Sequence, residues 1–395
     1  MKRVLHGIRV LDFGRYRAGP YAAMLLADMG ADVIRVERPG GEDDRFLGPY
    51  TSDEQPMYTF FTCRNKKGIT LNLSKETGRE ILKKLVLQSD VVIESSGAGV
   101  NTKLGLDYES LKHIKSDIIV VAMSSYGQYG PYAHRLGVDG IAQAMSGIMW
   151  LNGFPDGPPI RSGVNIVDFG AGIYAALGTV LALYNRDRTG EGQLVDVSLL
   201  DTALSFTESA VAEYEIRKEI RPRVGNANVF VGPYDTYKAK DGYVCLAVVS
   251  EYSWKKFLSV VEREDLADDP RFKTNRDRVK NIKFFTDWLS SWMVNKTVDE
   301  IVNQFNEAGV PCARVNTIPE VAADPHIRDR EMIVEFDHPE IGKVPLIGNP
   351  IKLSKTPVEI RTSAPALGEH NEEIYRDLLG LSQQELHKFK QEGVI

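Results

Sequence analysis

Residues 8–37 read IRVLDFGRYRAGPYAAMLLADMGADVIRVE, and this stretch decides the fold. Ile8–Phe13 is a short apolar run typical of a buried strand, and Asp32–Glu37 is a second one. Between them, Tyr21–Met29 has helical periodicity and ends before Gly30, a residue type that terminates helices. Two parallel strands need such a helix to cross from one to the other, so the stretch predicts a βαβ unit and a parallel sheet.

The alternation of strands and helices continues beyond this unit. It predicts a helix over 74–88, a strand at Val91–Glu94, a helix-like stretch near 107–115 and a strand at Ile118–Met123. This order is typical of the α/β class, here a Rossmann-like, mostly parallel sheet with helices on both faces. Ligands of such sheets bind beyond the carboxyl ends of the strands, so we expect function in the loops after residues 13, 37, 94 and 123.

A change of pattern near residue 225 indicates a second domain. Lys240-Asp241-Gly242 stands between the segments YDTYKA and YVCLAVV, which is a hairpin signal. Helices follow, one with a capping box at Thr297 and Glu300, so we expect a smaller α+β domain beside the large one. The predicted parts are 1–200 for the first part of the large domain, 201–224 for a linking helix, 225–325 for the small domain and 326–395 for the return to the large domain.

Composition and charge argue against several function classes. The net charge of -6 argues against a protein that binds nucleic acid by bulk attraction to phosphate. The three cysteines lie far apart and the seven histidines form no HxH or HxxxH pair, so we expect neither a disulfide nor a metal site. We find no signal-peptide core and no apolar window of about 18 residues. We therefore expect a soluble cytoplasmic protein with no membrane or nucleic-acid partner.

The loop after the first strand, GRYRAGP, matches a dinucleotide-binding turn only in part. That turn needs three glycines at the G-x-G-x-x-G spacing, so that the backbone can approach a pyrophosphate. Here only Gly14 and Gly19 are present, although Glu37 stands where an acid that binds ribose would lie. The missing glycine disfavours a Rossmann oxidoreductase, which stays as an alternative.

Basic residues near the predicted strands are candidates to bind phosphate. Arg38 directly follows the second strand. Arg64, Lys66 and Lys67 form a basic loop before the strand-like segment ITLNL. Arginine holds phosphate oxygens in pairs, and lysine holds them as a point charge. As a group these residues predict a ligand that carries phosphate, whereas each one alone is more typical of a solvated surface.

Asp168 stands at the start of a helical pattern, just before the small residues Gly170–Gly172. We expect its carboxylate to be the N-cap of that helix, where backbone N–H groups and the helix dipole favour the ionised form. An ionised carboxylate in such a turn is also suited to attack a carbonyl carbon, since nearby N–H groups stabilise the oxyanion. The residues alone leave the structural cap and the nucleophile open.

Eight parts of the chain, in order, resemble the class III CoA-transferases. They are LHGIRVLDFGRYRAGPYAAMLLADMGADVIRVERPG (5–40), RNKKGITLNL (64–73), GLDYESL (105–111), GVDGIAQAMSG (137–147), VDFGAGIYAALG (167–178), RTGEGQLVDVSLLD (188–201), AGVPCARV (308–315) and APALGEH with the final GVI (364–370 and 393–395). This family includes formyl-CoA and carnitine-type CoA-transferases and is related to the 2-methylacyl-CoA racemases.

The resemblance implies a fold and a reaction. The fold is an interlocked homodimer, in which each subunit joins a Rossmann-like large domain to a small one. The reaction moves CoA from an acyl-CoA donor to a free carboxylic acid acceptor, with Asp168 as the attacking carboxylate. A mixed anhydride and an aspartyl-CoA thioester are the implied intermediates. No cofactor is bound permanently, because coenzyme A itself is the group that is carried.

The resemblance also assigns residues to CoA binding, most of them in loops after predicted strands. These residues are Arg17, Ala18, Arg38, Leu71, Asn72, Leu73, Ser74, Ser95, Ser96, Gly97, Lys103, Gly137, Val138, Asp139 and Gly140.

Two of these positions depart from relatives in the family. Val138 stands where the racemases have an acid/base histidine, and an alkyl group cannot shuttle protons, so a racemase is the disfavoured alternative. Arg17 stands where formyl-CoA transferase has a glutamine. We expect Arg17 to lie either near the acceptor carboxylate, on a CoA phosphate or in solvent. A CoA-binding protein without catalysis is the non-enzymatic alternative.

Overall fold

The computed structural model describes residues 3–51, 54, 56–97, 99–338 and 342–395. The chain divides into two compact units. The first comprises Met1–Ile148, Arg161–Ser209 and Pro325–Ile395, and the second comprises Met149–Ile160 and Ala210–Asp324. The domain limits expected at residues 200, 224 and 325 stay a prediction.

A six-stranded sheet forms the middle of the first unit. Its strands are β1 (Arg9–Phe13), β2 (Asp32–Glu37), β3 (Lys66–Thr70), β4 (Val91–Glu94), β5 (Ile119–Ser124) and β6 (Leu194–Ser198), in the order β3-β2-β1-β4-β5-β6. Every neighbouring pair is parallel, which confirms the α/β class and the parallel sheet. The strand order reverses between β1 and β4, and in open parallel sheets ligands bind at such a point.

Eight helices lie in the described residues between Ala18 and Ser205, seven in the first unit and one, Ile148–Leu151, mostly in the second. They are α1 (Ala18–Asp28), α2 (Glu76–Leu87), α3 (Val100–Leu104), α4 (Tyr108–Ile114), α5 (Asp139–Ser146), α6 (Ile148–Leu151), α7 (Ile166–Thr189) and α8 (Leu199–Ser205). Short 3-10 turns cover Asp43–Phe46 and Tyr58–Phe61. The expected first helix begins three residues earlier than its periodicity predicts, because Pro20 is tolerated in a first helical turn.

Most side chains of the strands are apolar because both faces of the sheet are buried, and charged ones such as Asp12 and Glu94 are buried with partners. Successive side chains of a strand point to opposite faces, so Val10 and Ile93 enter one core together with α1 and α7. Leu11 and Val92 enter the other core, which α2 and the C-terminal segment cover. This two-sided burial fixes the register of the strands and therefore the place of the loops at their ends.

Helix α7 is the central helix of the first unit and packs on α1. A Cβ on Gly172 would lie 2.9 Å from the carbonyl oxygen of Ala18, so this close approach requires glycine. Among the described residues, α7 is long and apolar enough to cross a membrane by length and composition, although half of its most apolar window is buried. The expectation that the sequence contains no apolar window of that length was therefore wrong.

The second unit contains an antiparallel sheet. Its strands are β7 (Tyr234–Lys238), β8 (Tyr243–Ala247) and β9 (Cys312–Arg314), and its helices are α9 (Ala210–Arg217), α10 (Glu251–Val260), α11 (Asn275–Lys280), α12 (Ile282–Met293), α13 (Val298–Glu307) and α14 (Ile318–Ala323). A 3-10 turn covers Glu264–Ala267. The predicted hairpin and the capping box of Thr297 and Glu300 are both confirmed. An aromatic core with Trp254, Phe257 and Phe285 holds these elements together.

The chain then returns to the first unit. This part contains α15 (Pro325–Asp329), β10 (Ile333–His338), β11 (Gly342–Ile347), a π-helical turn (Glu373–Leu378) and α16 (Gln383–Gln391), and β10 and β11 form an antiparallel hairpin. Tyr375 is fully buried and donates a hydrogen bond to the carbonyl oxygen of Thr70 at the end of β3. The backbone N–H of Asn72 likewise donates to the carbonyl oxygen of Val394. The end of the chain thus supports the loop after β3.

A buried carboxylate ties the C-terminal part to α1. Asp28, the last residue of α1, is 0% exposed and accepts two hydrogen bonds from the guanidinium of Arg64, at 3.1 and 2.7 Å. The amides of Asn65 and Asn349 donate to the same carboxylate at 2.7 and 3.1 Å. Arg64 also donates to the carbonyl oxygen of Ile347. These bonds form a clasp between α1, the start of β3 and the segment after β11.

Candidate active site

Four loops that carry predicted site residues follow neighbouring strands of the sheet. Arg17 and Ala18 follow β1, Arg38 follows β2, Leu71–Ser74 follow β3 and Ser95–Gly97 follow β4. Because parallel strands end at the same edge, the fold brings these loops together there. Lys103 lies just beyond them, exposed on α3.

Buried polar contacts shape the first of these loops. The carboxylate of Asp12 accepts the N–H of Gly14 at 2.8 Å and the ammonium of Lys66 at 2.7 Å. Lys66 also donates to the carbonyl oxygen of Pro20 at 2.8 Å. Both side chains are 0% exposed, so this ion pair fixes the two ends of the loop between β1 and α1.

The middle of the same loop is bonded to its neighbours. Tyr16 has a backbone φ of 60°, a conformation that non-glycine residues rarely adopt. Its N–H donates to the carboxylate of Asp44 at 2.9 Å, and Asp44 in turn accepts from the buried guanidinium of Arg35 at 2.7 Å. The N–H of Arg15 donates to the hydroxyl of Ser95 at 2.8 Å. The loop is therefore held in the shape that places Arg17.

The expectation that Arg64, Lys66 and Lys67 bind phosphate was wrong for the first two. Arg64 is 2% exposed and paired with Asp28, and Lys66 is paired with Asp12, so neither charge is available to a ligand. Lys67 is the second residue of β3, at the opposite edge of the sheet, and pairs with Asp32 and Glu373. All three residues lie at the amino end of β3, away from the loops at its carboxyl end. The spacing of the residues in the sequence does not reveal at which end of the strand they lie.

Arg17 lies over the ring of Tyr58, with its guanidinium carbon 4.2 Å from the ring centre. Its Nε is buried and has no hydrogen-bond partner among the residues that the structure describes. Burial raises the pKa of Tyr58 to about 12, an effect that Arg17 opposes and Asp168 reinforces. Arg17, Tyr58 and Asp168 thus form one electrostatic cluster, and Tyr58 is a member that the sequence analysis missed because its 3-10 turn carries no motif.

Asp168 is the third residue of α7, not its N-cap, which is Asn165. The cap comes from another helix: Asp139 at the start of α5 accepts the N–H groups of Val167 and Asp168 at 2.9 and 3.2 Å. With those N–H groups taken, the carboxylate of Asp168 has no hydrogen-bond partner in the described part of the chain. The expected N-cap role was therefore wrong.

The charge state of Asp168 also differs from the expectation that the ionised form is favoured. Burial, reinforced by the negative charge of Asp139 and opposed by Arg17, raises the pKa of Asp168 to about 7. The carboxylate is thus poorly solvated and more basic than an ordinary aspartate, and an anion of this kind is a better nucleophile than a solvated one.

Several residues that were predicted to bind CoA have side chains that are buried or already hydrogen-bonded within the protein. Leu71 and Leu73 are buried in the core, so only their backbone can face a ligand. Asn72 donates to the carbonyl oxygen of Gly393, which leaves Ser74 as the exposed side chain of that loop. Arg38 donates to the carbonyl oxygen of Gly41 and pairs with Asp43, yet half of its side chain is exposed.

The stretch Gly137–Gly140 lies at the start of α5. Asp139 is 4% exposed, and the amide of Gln143 donates to it at 2.6 Å, so its carboxylate serves α7 rather than a ligand. Val138 is 65% exposed and is the N-cap residue of α5. A Cβ on Gly137 would lie 2.9 Å from that of Ser125, which explains the glycine.

Glu94 is a second acid of unusual basicity at this edge. It ends β4, is fully buried, and accepts from the N–H of Ser96 at 2.7 Å and the amide of Asn101 at 3.2 Å. Burial raises its pKa to about 7. Its hydrogen bonds hold the loop Ser95–Gly97 in place, a role that the sequence analysis missed.

Comparison with known proteins agrees with this geometry. A family model described as CoA-transferase family III matches residues 5–371. The chain is 36% identical to the succinyl-CoA–D-citramalate CoA-transferase of Chloroflexus aurantiacus, over 100% of this chain and 98% of the relative. It is 35% identical to the formyl-CoA:oxalate CoA-transferase of Streptomyces coelicolor, over 100% and 99%.

A solved structure is similar over nearly the whole fold. The CAIB/BAIF family protein of Brucella suis superimposes with a TM-score of 0.84 at 35% identity, over 96% of this chain and 100% of that one. Family model, sequence relatives and structure all cover the chain almost from end to end. The chain therefore belongs to CoA-transferase family III and is a transferase enzyme.

Proposed function

We propose that this enzyme moves coenzyme A from an acyl-CoA thioester to a free carboxylic acid, with Asp168 as the nucleophile. The observation that carries the proposal is the carboxylate of Asp168, which has no hydrogen-bond partner among the described residues and a pKa near 7. It shares one cluster with Arg17, whose buried Nε is also unpartnered. A carboxylate without a hydrogen-bond donor and a buried guanidinium nitrogen without an acceptor are costly to keep, so the two together favour a reaction at this place.

The proposed reaction needs no proton transfer. The carboxylate of Asp168 attacks the thioester carbonyl, the C–S bond breaks, and a mixed anhydride and CoA thiolate form. The thiolate attacks the aspartyl carbonyl of the anhydride, which gives an aspartyl-CoA thioester and releases the donor acid as its carboxylate. The acceptor carboxylate repeats both steps in reverse, leaving with CoA as a new thioester and restoring the aspartate.

The residues around Asp168 supply what this sequence of steps needs. Negative charge develops on the carbonyl oxygen under attack, and the Nε–H of Arg17 is a donor that is free to meet it. Arg17 also favours binding of a second carboxylate beside Asp168, which like charges would otherwise repel. The buried ion pair of Asp12 and Lys66 fixes the loop between β1 and α1 and so keeps this donor in place.

Coenzyme A, on this proposal, lies along the carboxyl edge of β1 to β4. Arg38 and Lys103 carry exposed positive charge there and are suited to its phosphates, while the backbone of Leu71–Ser74 and Ser95–Gly97 lies against the rest of the molecule. The substrate is the only coenzyme involved, and we propose that no other cofactor is bound permanently.

We further propose a cytoplasmic homodimer. Ile173, Leu177, Leu181 and Tyr184 follow helical spacing on α7 and are each more than half exposed in the single chain. A second copy of the chain is the partner that the family resemblance implies for this face, and the large and small domains would then interlock. Light scattering in solution should give twice the chain mass of 44.0 kDa.

Racemisation of a 2-methylacyl-CoA is not favoured as an alternative. It would need a second acid/base group, and the position that holds a histidine in the racemases is Val138 here. Incubation of a chiral 2-methylacyl-CoA in heavy water separates the two reactions, because only a racemase would place deuterium at the α carbon.

The direct test is a panel of acyl-CoA donors, including succinyl-CoA and formyl-CoA, against a panel of carboxylic acids. We expect mass spectrometry to detect a new CoA thioester for at least one pair, with release of the donor acid in equal amount. A chain that binds acyl-CoA but forms no new thioester from any pair would contradict the proposal and favour a CoA-binding protein without catalysis.

The pKa of Asp168 sets the expected pH dependence. Because the ionised form is the nucleophile and its pKa is raised to about 7, kcat/KM should rise about tenfold per pH unit below 7 and level off above 8. Asp139→Asn removes a negative charge and should move the midpoint down, whereas Arg17→Gln removes a positive charge and should move it up. Midpoints that stay in place in both variants would contradict this assignment.

A further inference from the structure

We infer that the cavity beside Arg17 holds the hydrocarbon part of the carboxylic acid substrate, and that this acid has an apolar tail without a second carboxylate. The inference rests on the proposed function, since it concerns the acid that exchanges at Asp168. It names a substrate class that the relatives' names, with their citramalate and oxalate, do not suggest.

The cavity lies within the first unit and has a volume of about 330 Å³. Its wall includes Arg17, Tyr21, Met24, Leu25, Phe61 and Phe169. Phe169 directly follows Asp168 on α7, and its ring meets the ring of Tyr21 edge-on at 4.8 Å. Asp168 itself does not line the cavity, but its chain neighbour Phe169 and its electrostatic partner Arg17 both do.

Arg17 gives the wall of the cavity a positive charge. The same side chain lines the cavity, lies over Tyr58 and acts electrostatically on Asp168, and its buried Nε has no partner in the described chain. A carboxylate that meets this Nε would lie beside Asp168 with its tail in the cavity. The donor acid leaves and the acceptor acid arrives by the same steps in reverse, so both acids use this place in turn.

Apart from Arg17, the wall of the cavity has no unpaired positive charge for a second carboxylate. Arg64 is part of the wall, but its guanidinium donates twice to Asp28 and once to the carbonyl oxygen of Ile347. Asn349, also in the wall, donates to the same aspartate. Asp28 thus cancels the positive charge of Arg64, and a distal carboxylate would be buried among apolar groups without a cation.

The size of the cavity limits the tail. Liquid water occupies roughly 30 Å³ per molecule, so the volume corresponds to on the order of ten non-hydrogen atoms. The aromatic rings of Tyr21, Phe61 and Phe169 accept an alkyl tail by burial and favour a tail with an aromatic ring, since offset and edge-on ring contacts add to simple burial. Hexanoate and phenylacetate fit these limits, whereas succinate and glutarate have the size but not the polarity.

The test compares acceptor acids in the wild type and in variants of Phe61. We expect kcat/KM for hexanoate and phenylacetate to exceed that for succinate and glutarate by at least about tenfold. Phe61→Ala should widen the cavity and shift the ratio between phenylacetate and a bulkier arylalkanoate at least about tenfold toward the latter, and Phe61→Trp should shift it the other way. Phe60→Ala is the matched control, because Phe60 packs on His338 and not in the cavity wall.

The outcomes separate this inference from the proposed function. A wild type that prefers dicarboxylates, with a preference that both Phe61 variants leave unchanged, would overturn the cavity assignment while transfer itself stands. If no acid accepts CoA, the proposed function fails, and calorimetric titration of phenylacetate decides the cavity: binding that Phe61→Trp weakens and Phe60→Ala does not supports it. Equal binding by all three proteins, or none, would overturn it.

Discussion

Replacing Asp168 by alanine should lower kcat for CoA exchange by about 10⁴-fold or more, since loss of a covalent nucleophile removes the whole route through the anhydride. The same change should abolish the covalent adduct that wild-type protein forms with acyl-CoA, measured by intact mass. Acyl-CoA binding should persist, because the proposed CoA contacts at the carboxyl edge of β1 to β4 do not depend on this side chain.

The fold should tolerate this substitution. A carboxylate whose pKa is raised on folding is disfavoured in its ionised form, so above pH 7 its removal should leave the melting temperature unchanged or raise it. Asp187→Ala is the matched control, since Asp187 is an exposed aspartate on the same helix. Full exchange activity in Asp168→Ala, or an equal loss in Asp187→Ala, would refute the assignment of the nucleophile.

Replacing Asp28 by alanine should lower the free energy of unfolding by about 3 to 5 kcal/mol, because it leaves the guanidinium of Arg64 buried without its counter-charge. The amides of Asn65 and Asn349 lose their acceptor as well. Urea denaturation should show the loss as a lower midpoint. A second substitution, Arg64→Met, should recover much of it, because the unpaired charge is then gone.

An exposed ion pair gives the control for this prediction. Glu80 and Lys83 lie 2.7 Å apart on α2 with more than half of each side chain exposed, so Glu80→Ala should cost no more than about 1 kcal/mol. If Asp28→Ala and Glu80→Ala shift the midpoint equally, the clasp around Asp28 does not stabilise the fold in the way its geometry implies.

The strands and their order along the chain could be predicted from the sequence because the apolar pattern of each strand lies within a few consecutive residues. Val91–Glu94 and Asp32–Glu37 have the predicted bounds, since strands of a sheet that is covered on both faces are rich in valine and isoleucine, as both of these are. The position of Asp168 was indicated by resemblance, and its place at the head of α7 by the small residues that follow it. Which charge pairs with which could not be predicted.

The pairings that shape the site join residues far apart in the chain. Lys66 and Asp12 are 54 positions apart, and Asn349 and Asp28 are 321 apart. A sequence shows each of these side chains as an isolated charged or polar residue, whose usual place is the surface. The same reason explains the wrong N-cap: Asp139, which lies 28 positions before Val167, takes the N–H groups that a local interpretation gives to Asp168.

The clasp around Asp28 has a consequence for how the chain is made. The loops after β1 to β4 lie within the first 103 residues, but the segment Ile347–Pro350, which lines the cavity, leaves the ribosome much later. Until then Arg64 and Asp28 stand without Asn349, and the loop after β3 lacks the backbone partner that Val394 provides. A nascent chain can therefore complete the proposed site only after Ile347–Pro350 and Val394 have been added.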